Sequence, residues 1–430
     1  MTMTSTVRAG TQGRSRFLVA VVFLVFFVIS FLTNILGPLV PDIITDFHVS
    51  LTMAAILPFA FFIAYGVMSI PAGFAVQRWG EKKPMLASFV AATLGAASFA
   101  AFPTYSMAVT SLFVIGAGMA VLQVAINPLL RVAGGEEHFA FNSAFAQLIF
   151  GAASFVSPLV YSDLVRHLDP AHRDLSGLYY TVLGSITTPA LPWVSIYWIF
   201  AAVAGVCVVL ITLLRLPKVE RTEEESAGTL AMYRQLLRNP YVWLYFLAII
   251  AYVGCEQGTA DWMSPFLERY HHVDPHTGGA DAVAYYWGLM TAGCLLGMGL
   301  LKLFDSRRVL IGFSLGAMCM LTAALFGSDE VSRVAFPCIG FFASIMWPTL
   351  VSLGLNSVPQ HHGPFAGILC SGIMGGALVP FVIGWLGDLY GLRFGMLFLY
   401  LTFGFVLSVG VWARPLIRNA IRGGTKGSTI

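Results

Sequence analysis

The chain has 430 residues, of which 57% are hydrophobic and only 10% charged, with 43 glycines and 34 phenylalanines. A soluble domain carries about 25% charged residues, so this composition excludes a water-soluble enzyme and leaves a polytopic membrane protein. The net charge of +3, from 24 basic and 21 acidic residues, is too balanced for nucleic-acid binding.

A helical span needs roughly 20 mostly apolar residues, and about 35 with its loop, so this length predicts about twelve spans. Apolar runs fall near 17–41, 52–76, 86–103, 106–131, 139–161, 194–215, 241–266, 281–304, 309–327, 334–356, 365–388 and 393–414. The first is too long for a cleavable signal peptide and lacks a small-residue cleavage site. Between the fifth and sixth, 162–193 holds Pro170, His172, Gly177 and Pro189 and is expected to be a long, partly helical outer loop. Leu216 to Pro240 is the most polar stretch, with Glu220, Glu223, Glu224 and Glu225. It divides the chain into an N-terminal six-helix half (1–215), a cytoplasmic central loop (216–240) and a C-terminal six-helix half (241–430). The fold class is therefore an all-α membrane protein of twelve transmembrane helices. The six cysteines (207, 255, 294, 319, 338 and 370) stand singly with no CxxC pair, which argues against a metal or disulfide role.

Placing both termini in the cytoplasm puts 19 of the 24 Lys and Arg inside and leaves Arg166, Arg173, Arg269, Arg333 and Arg393 outside. The positive-inside rule favours this orientation, in the cytoplasmic (inner) membrane. The halves are weakly alike: Asn127-Pro128 and Pro158 in the first match Trp347-Pro348 and Pro380 in the second. Two related six-span halves are the major facilitator layout, in which substrate binds between the halves near mid-membrane. Gly73-Phe-Ala-Val-Gln77-Arg78-Trp-Gly80-Glu-Lys82-Lys83 resembles the loop signature of that superfamily, with Gln77 in place of its Asp. Asp305-Ser-Arg307-Arg308 occupies the equivalent loop of the second half. Arg78, Gly80, Asp305 and Arg308 are thus candidate gating residues, with topology alone as the alternative.

Polar side chains inside hydrocarbon are costly and normally face the bundle interior. From a rise of 1.5 Å per residue, Glu256 lies about 15 Å below the outer face, Gln123 about 12 Å from the inner face and Asn34 roughly 10 Å below the outer face. Gln147 lies at a depth similar to Gln123, and Gln123 shares a helix face with Asn127. Amides offer both donors and acceptors, which suits a neutral polyol, and Trp262, Trp287, Trp347 and Tyr252 can offer flat faces to its C–H side. Membrane amides also join helices, and tryptophans also sit at interfaces.

At these residues the chain resembles the fucose–proton symporter family of the major facilitator superfamily. The resemblance rests on Phe31-Leu-Thr-Asn34-Ile-Leu-Gly37-Pro-Leu-Val-Pro41, Ile70-Pro71-Ala72-Gly73, Leu122-Gln123-Val124-Ala125-Ile126-Asn127-Pro128, Ala146-Gln147, Tyr252-Val-Gly254 and Ser344-Ile-Met-Trp347-Pro-Thr-Leu-Val-Ser352-Leu-Gly354. The proton-coupled fucose carriers place acids where this chain has Gly37 and Gln123. It is more similar to glucose and galactose carriers of the family, with Gln in span 4 and an acid in span 7, which are sodium-driven.

The resemblance implies import of a neutral monosaccharide (glucose, galactose, mannose or fucose) by alternating access. Asn34, Gln123, Asn127, Gln147, Gln257, Trp262 and Trp347 are the candidate substrate contacts. Glu256, with Asp261 nearer the outer surface, is the candidate coupling site for Na⁺. A buried carboxylate without a cationic neighbour can equally carry a proton, and Gly254 and Gly258 are expected to loosen the helix around it. Proton-coupled and uncoupled carriage are the alternatives, and a lipid or drug exporter is the rival from another class. No cofactor is expected beyond the coupling ion, Na⁺ or H⁺, and the expected partners are the sugar and the lipid bilayer, with the chain a monomer. No catalytic constellation stands at mechanistic spacing; His167, Asp169, His172 and Asp174 read as a solvated loop.

Overall fold

A computed structural model of the chain describes residues 16–135, 138–170, 176–216 and 228–415. His172, Asp174 and the four glutamates of the central loop lie outside these residues. Twelve helices are long and apolar enough to cross a membrane: α1 (Arg16–Asp46), α2 (Leu51–Trp79), α3 (Lys82–Ala101), α4 (Tyr105–Gly134), α5 (Phe141–Leu168), α6 (Pro192–Leu213), α7 (Pro240–His271), α8 (Pro275–Leu303), α9 (Ser306–Phe326), α10 (Asp329–Leu355), α11 (His362–Tyr390) and α12 (Leu392–Trp412). They follow the twelve apolar runs in order, and no strand occurs among the described residues. Helices satisfy every backbone N–H and C=O internally, which hydrocarbon demands.

Short polar side chains close the helix starts. Ser50, Thr104, Asn239 and Asp305 each accept a bond from a backbone N–H in the first turn of α2, α4, α7 and α9. Glycines in the left-handed region end α2 at Gly80, α4 at Gly135 and α11 at Gly391, where a side chain would be strained.

The structure fills in the sequence reading at three places, the first as expected. Outside α5 the expected outer loop holds a helix, Leu178–Ile186, docked where Tyr180 donates to Asp163 at 2.8 Å and stacks on the His167 ring at 4.2 Å. α1 is two helices, Arg16–Thr33 and Leu36–Asp46, and α10 is likewise split at Ser344 and Ile345. α7, by contrast, is continuous through Gly254 and Gly258. These glycines do not loosen it: a Cβ on either would strike Val379 of α11, and on Gly258 also Ile383 of α11, so they serve close helix packing.

The halves repeat their internal contacts. Gly116 of α4 packs against the Phe61 carbonyl of α2, and Gly340 of α10 packs against the Tyr286 carbonyl of α8. Between halves, α2 packs on α11, α5 on α8, and the second segment of α1 on α7. The first segment of α1 packs instead on α4 and α5 of its own half. Every side-chain hydrogen bond between the halves, among the described residues, lies at the end that carries the turns after α1, α7 and α11. That end is closed.

Candidate functional site

Glu256 stands on α7 among α8 and α10. Tyr252, one turn earlier, donates its hydroxyl to one carboxylate oxygen, and the Gln257 amide donates to the other at 3.1 Å. Tyr286 of α8 donates to the Glu256 carbonyl at 3.1 Å. Trp347 of α10 lies 6.2 Å from the Tyr252 ring, centroid to centroid. The carboxylate is therefore held by a phenol and an amide, and an aromatic face stands beside them. Such a group can accept or release a proton without breaking an ion pair.

The first half contributes amides. Gln123 of α4 keeps a buried Oε1 without a hydrogen-bond partner, and Asn127 lies one turn on, with its amide 3.5 Å from the Gln123 carbonyl. Gln147 is exposed, one turn from Gly151, the point where α5 meets Thr291 of α8. Residues four apart share a helix face, so Gln147 points toward the seam between the halves. Trp287 of α8 adds a buried indole N–H without a partner. One orphaned acceptor and one orphaned donor are what a hydroxylated ligand can complement.

Other sequence-predicted residues are committed elsewhere. The Asn34 amide donates to Ser154 of α5 at 2.8 Å, and Ser30 also bonds Ser154, so Asn34 joins α1 to α5. Trp262 is 1% exposed and donates to the Pro380 carbonyl at 3.0 Å, which fixes α7 on α11. Asp261 is equally buried, with Oδ2 unpartnered, at the crossing where Gly37 lets α1 touch the α7 backbone.

In the two loop signatures the cations that bond helix ends are Lys82 and Arg307, neighbours of the candidate gating residues. Arg78 is exposed and Arg308 likewise. Lys82 instead donates to the Thr212 and Leu214 carbonyls at 2.9 and 2.6 Å, at the end of α6. Arg307 pairs with Asp305 at 3.2 Å and reaches the Ala413 carbonyl at 3.3 Å, at the end of α12. Each basic residue sits where helix carbonyls lack partners and the dipole is negative.

Comparison with known proteins adds to this geometry. The sequence pattern of the Major Facilitator Superfamily matches residues 22–370. A protein named glucose/galactose transporter in Brucella abortus is 28% identical over 401 residues, covering 90% of this chain and 92% of its own. The L-fucose-proton symporter of Escherichia coli is 28% identical over 389 residues, covering 85% and 86%. A crystal structure of that fucose:proton symporter superposes with a TM-score of 0.65 at 22% identity, covering 92% of this chain and 98% of that one.

Proposed function

The chain belongs to the Major Facilitator Superfamily, as a multi-pass membrane transporter rather than an enzyme, and from that premise we propose that it carries a neutral monosaccharide coupled to protons. Relatives named as carriers of glucose, galactose and L-fucose, aligned over 85% or more of this chain, are the observation that carries the sugar reading. The polar groups agree with it. Gln123, Asn127 and Gln147 on one side and Glu256, Gln257 and Trp347 on the other offer amides, a carboxyl and a ring, and among the described residues no basic side chain bonds Glu256.

For the coupling ion, this reading replaces Na⁺ with H⁺. A bound Na⁺ wants several converging oxygens, whereas the two oxygens of Glu256 face a hydroxyl and an amide that act as donors. The relative named L-fucose-proton symporter points the same way. Glu256 is the exchanging acid, and Asp261, sealed against α1, is secondary to it.

Residues 1–215 and 241–430 are the two moving halves, joined by 216–240, in a monomer with both termini cytoplasmic. The basic loops then lie inside, and the end held by the bonds between the halves faces outward. Gln123 and Gln147 meet the sugar first, Glu256 releases its proton inward, and reopening outward resets the cycle.

Uptake of labelled hexoses into proteoliposomes tests this directly. Accumulation under an inward proton gradient, and none under an inward Na⁺ gradient, is the expected result. Accumulation driven by Na⁺ alone would return Glu256 to a cation site, and no hexose movement under either would remove the sugar reading.

A further inference from the structure

The closed end holds a cluster that the transport site does not use. His276 lies in the tight turn Pro275–Gly279 at the start of α8, in the second half. Its Nε2 is 2.7 Å from Asp42 Oδ1 on α1, in the first half. The other Asp42 oxygen accepts the hydroxyl of Tyr161 on α5, and Ser162 donates to the His276 carbonyl. Tyr161 is fully buried and Asp42 is 8% exposed, so the acid is held between an imidazole from one half and a phenol from the other. The turn itself is fixed by Asp274, which accepts from the backbone N–H groups of His276 and Thr277.

We propose that Asp42, Tyr161 and His276 form a proton-sensitive lock on the closed end of the carrier. The lock spans α1, α5 and α8, and α1 and α5 cannot leave α8 without breaking the bond between Asp42 and His276. A bond of this kind changes strength with protonation. With a neutral imidazole it is a hydrogen bond to a carboxylate; with an imidazolium it is an ion pair whose acid is buried and whose His276 side chain is 36% exposed, and charge-assisted bonds are about twice as strong.

Acidic side chains cluster around this bond. Asp46 on α1, Asp169 at the end of α5, Glu268 on α7 and Asp274 in the turn all act electrostatically on His276 or on Asp42. Arg333 of α10 is the opposing charge, near Gly278. Acid on this side therefore tightens the lock and base loosens it. This refines the transport reading by naming what holds one gate, and it does not depend on which sugar or ion is carried.

Ser264 of α7 provides a reporter. It is 0% exposed, and a Cβ on Gly279 of the His276 turn would strike its hydroxyl, so it is reachable only when this end opens. In a Ser264→Cys protein, modification by a membrane-impermeant thiol reagent applied to the closed side reads the open fraction. His276→Gln and, separately, Asp42→Asn should each raise the rate at least about tenfold, the factor expected from losing one charge-assisted bond. Dividing the parent rate by the His276→Gln rate at each pH cancels the titration of the thiol. That ratio should fall as the medium is acidified from pH 8 to 6, through the range where an imidazole titrates.

Equal rates in parent and both variants would overturn the lock. A ratio independent of pH would leave a latch without the proton, and so overturn its proton sensitivity. Because Asp42→Asn keeps the shape of the side chain, sugar exchange from the opposite side reports whether the variants remain folded. Failure of proton-driven uptake in the parent would instead count against the transport reading alone.

Discussion

At the closed end, hydrogen bonds run from one half to the other: Asp42 to His276, Ser162 to the His276 carbonyl, and the Asp388 carboxylate to Leu51 and Thr52. At the level of Glu256 they stay within a half: Asn34 to Ser154 in the first, and Tyr252, Gln257 and Tyr286 around Glu256 in the second. Among the described residues the halves meet at that level by packing, as Phe59 on Phe381 and Phe155 on Tyr285, and not by side-chain hydrogen bonds. In the proposed mechanism a sugar that draws Gln123 and Gln147 toward Glu256 would change the relative energies of the two gate states. A ligand shifts such an equilibrium only by its differential affinity for the two states.

The comparison breaks most sharply at Glu256. Glu256→Gln keeps an acceptor for Tyr252 but removes the exchangeable proton. An imposed gradient of about one pH unit drives about tenfold accumulation in the parent, and the variant should show none while still exchanging labelled for unlabelled sugar. Full uphill accumulation in the variant would take the coupling role away from Glu256.

Next in size is Asp388. Its carboxylate accepts from the backbone N–H groups of Leu51 and Thr52, both at 2.9 Å, and from the Thr52 hydroxyl at 2.5 Å. It thus caps α2 from the opposite half. Loss of a cap costs about 1 kcal/mol, and of charge-assisted bonds somewhat more. Asp388→Ala should raise closed-side modification of Ser264→Cys by about tenfold without changing the equilibrium level of sugar exchange. Unchanged labelling would show that this cap holds α2 but not the gate.

How much of this was legible in the sequence depends on whether the signal is local. Twelve spans follow from runs of apolar residues, and the superfamily follows from Asn127-Pro128, Trp347-Pro348 and the Arg78 loop. Glu256 stood out because an acid within an apolar run is rare. Partner choice is not local, and there the sequence is silent. Nothing around position 34 says that its amide meets Ser154, some 120 residues on, and nothing around Trp262 names the Pro380 carbonyl. The breaks in α1 and α10 begin four residues before Pro38 and Pro348, a local signal that the apolar pattern does not carry. Nothing in the sequence pairs Asp42 with His276, and only the fold brings them to 2.7 Å.

A smaller effect separates the amides from one another. Gln123→Ala or Gln147→Ala should each raise the KM for sugar by about fivefold to tenfold, the loss of one hydrogen bond of about 1 kcal/mol. Asn34→Ala should instead lower the melting temperature in detergent with less change in KM, because it leaves Ser154 facing a cavity. If Asn34→Ala weakens sugar binding as much as Gln147→Ala does, the division between joining and binding amides is wrong.

The smallest effect concerns the two loop cations. Lys82 caps the end of α6 and Arg307 the end of α12, each within its own half. A cation at a helix C-terminus contributes about 0.3–1 kcal/mol, so Lys82→Met and Arg307→Met should each lower the melting temperature only slightly. The informative quantity is their sum. Distant sites without shared partners add to within about 0.5 kcal/mol, so the double variant should lose what the two single variants lose. Asp42→Asn and Asp388→Ala, whose bonds both hold the same pair of halves together, should not add: once one link is gone the gate opens, and the second link has less left to hold. Additivity for the first pair with its failure for the second would separate bonds that build each half from bonds that close the gate between them. Coupling between Lys82 and Arg307 would mean that the two halves unfold as one unit, and the distinction would then rest on gate labelling rather than on stability.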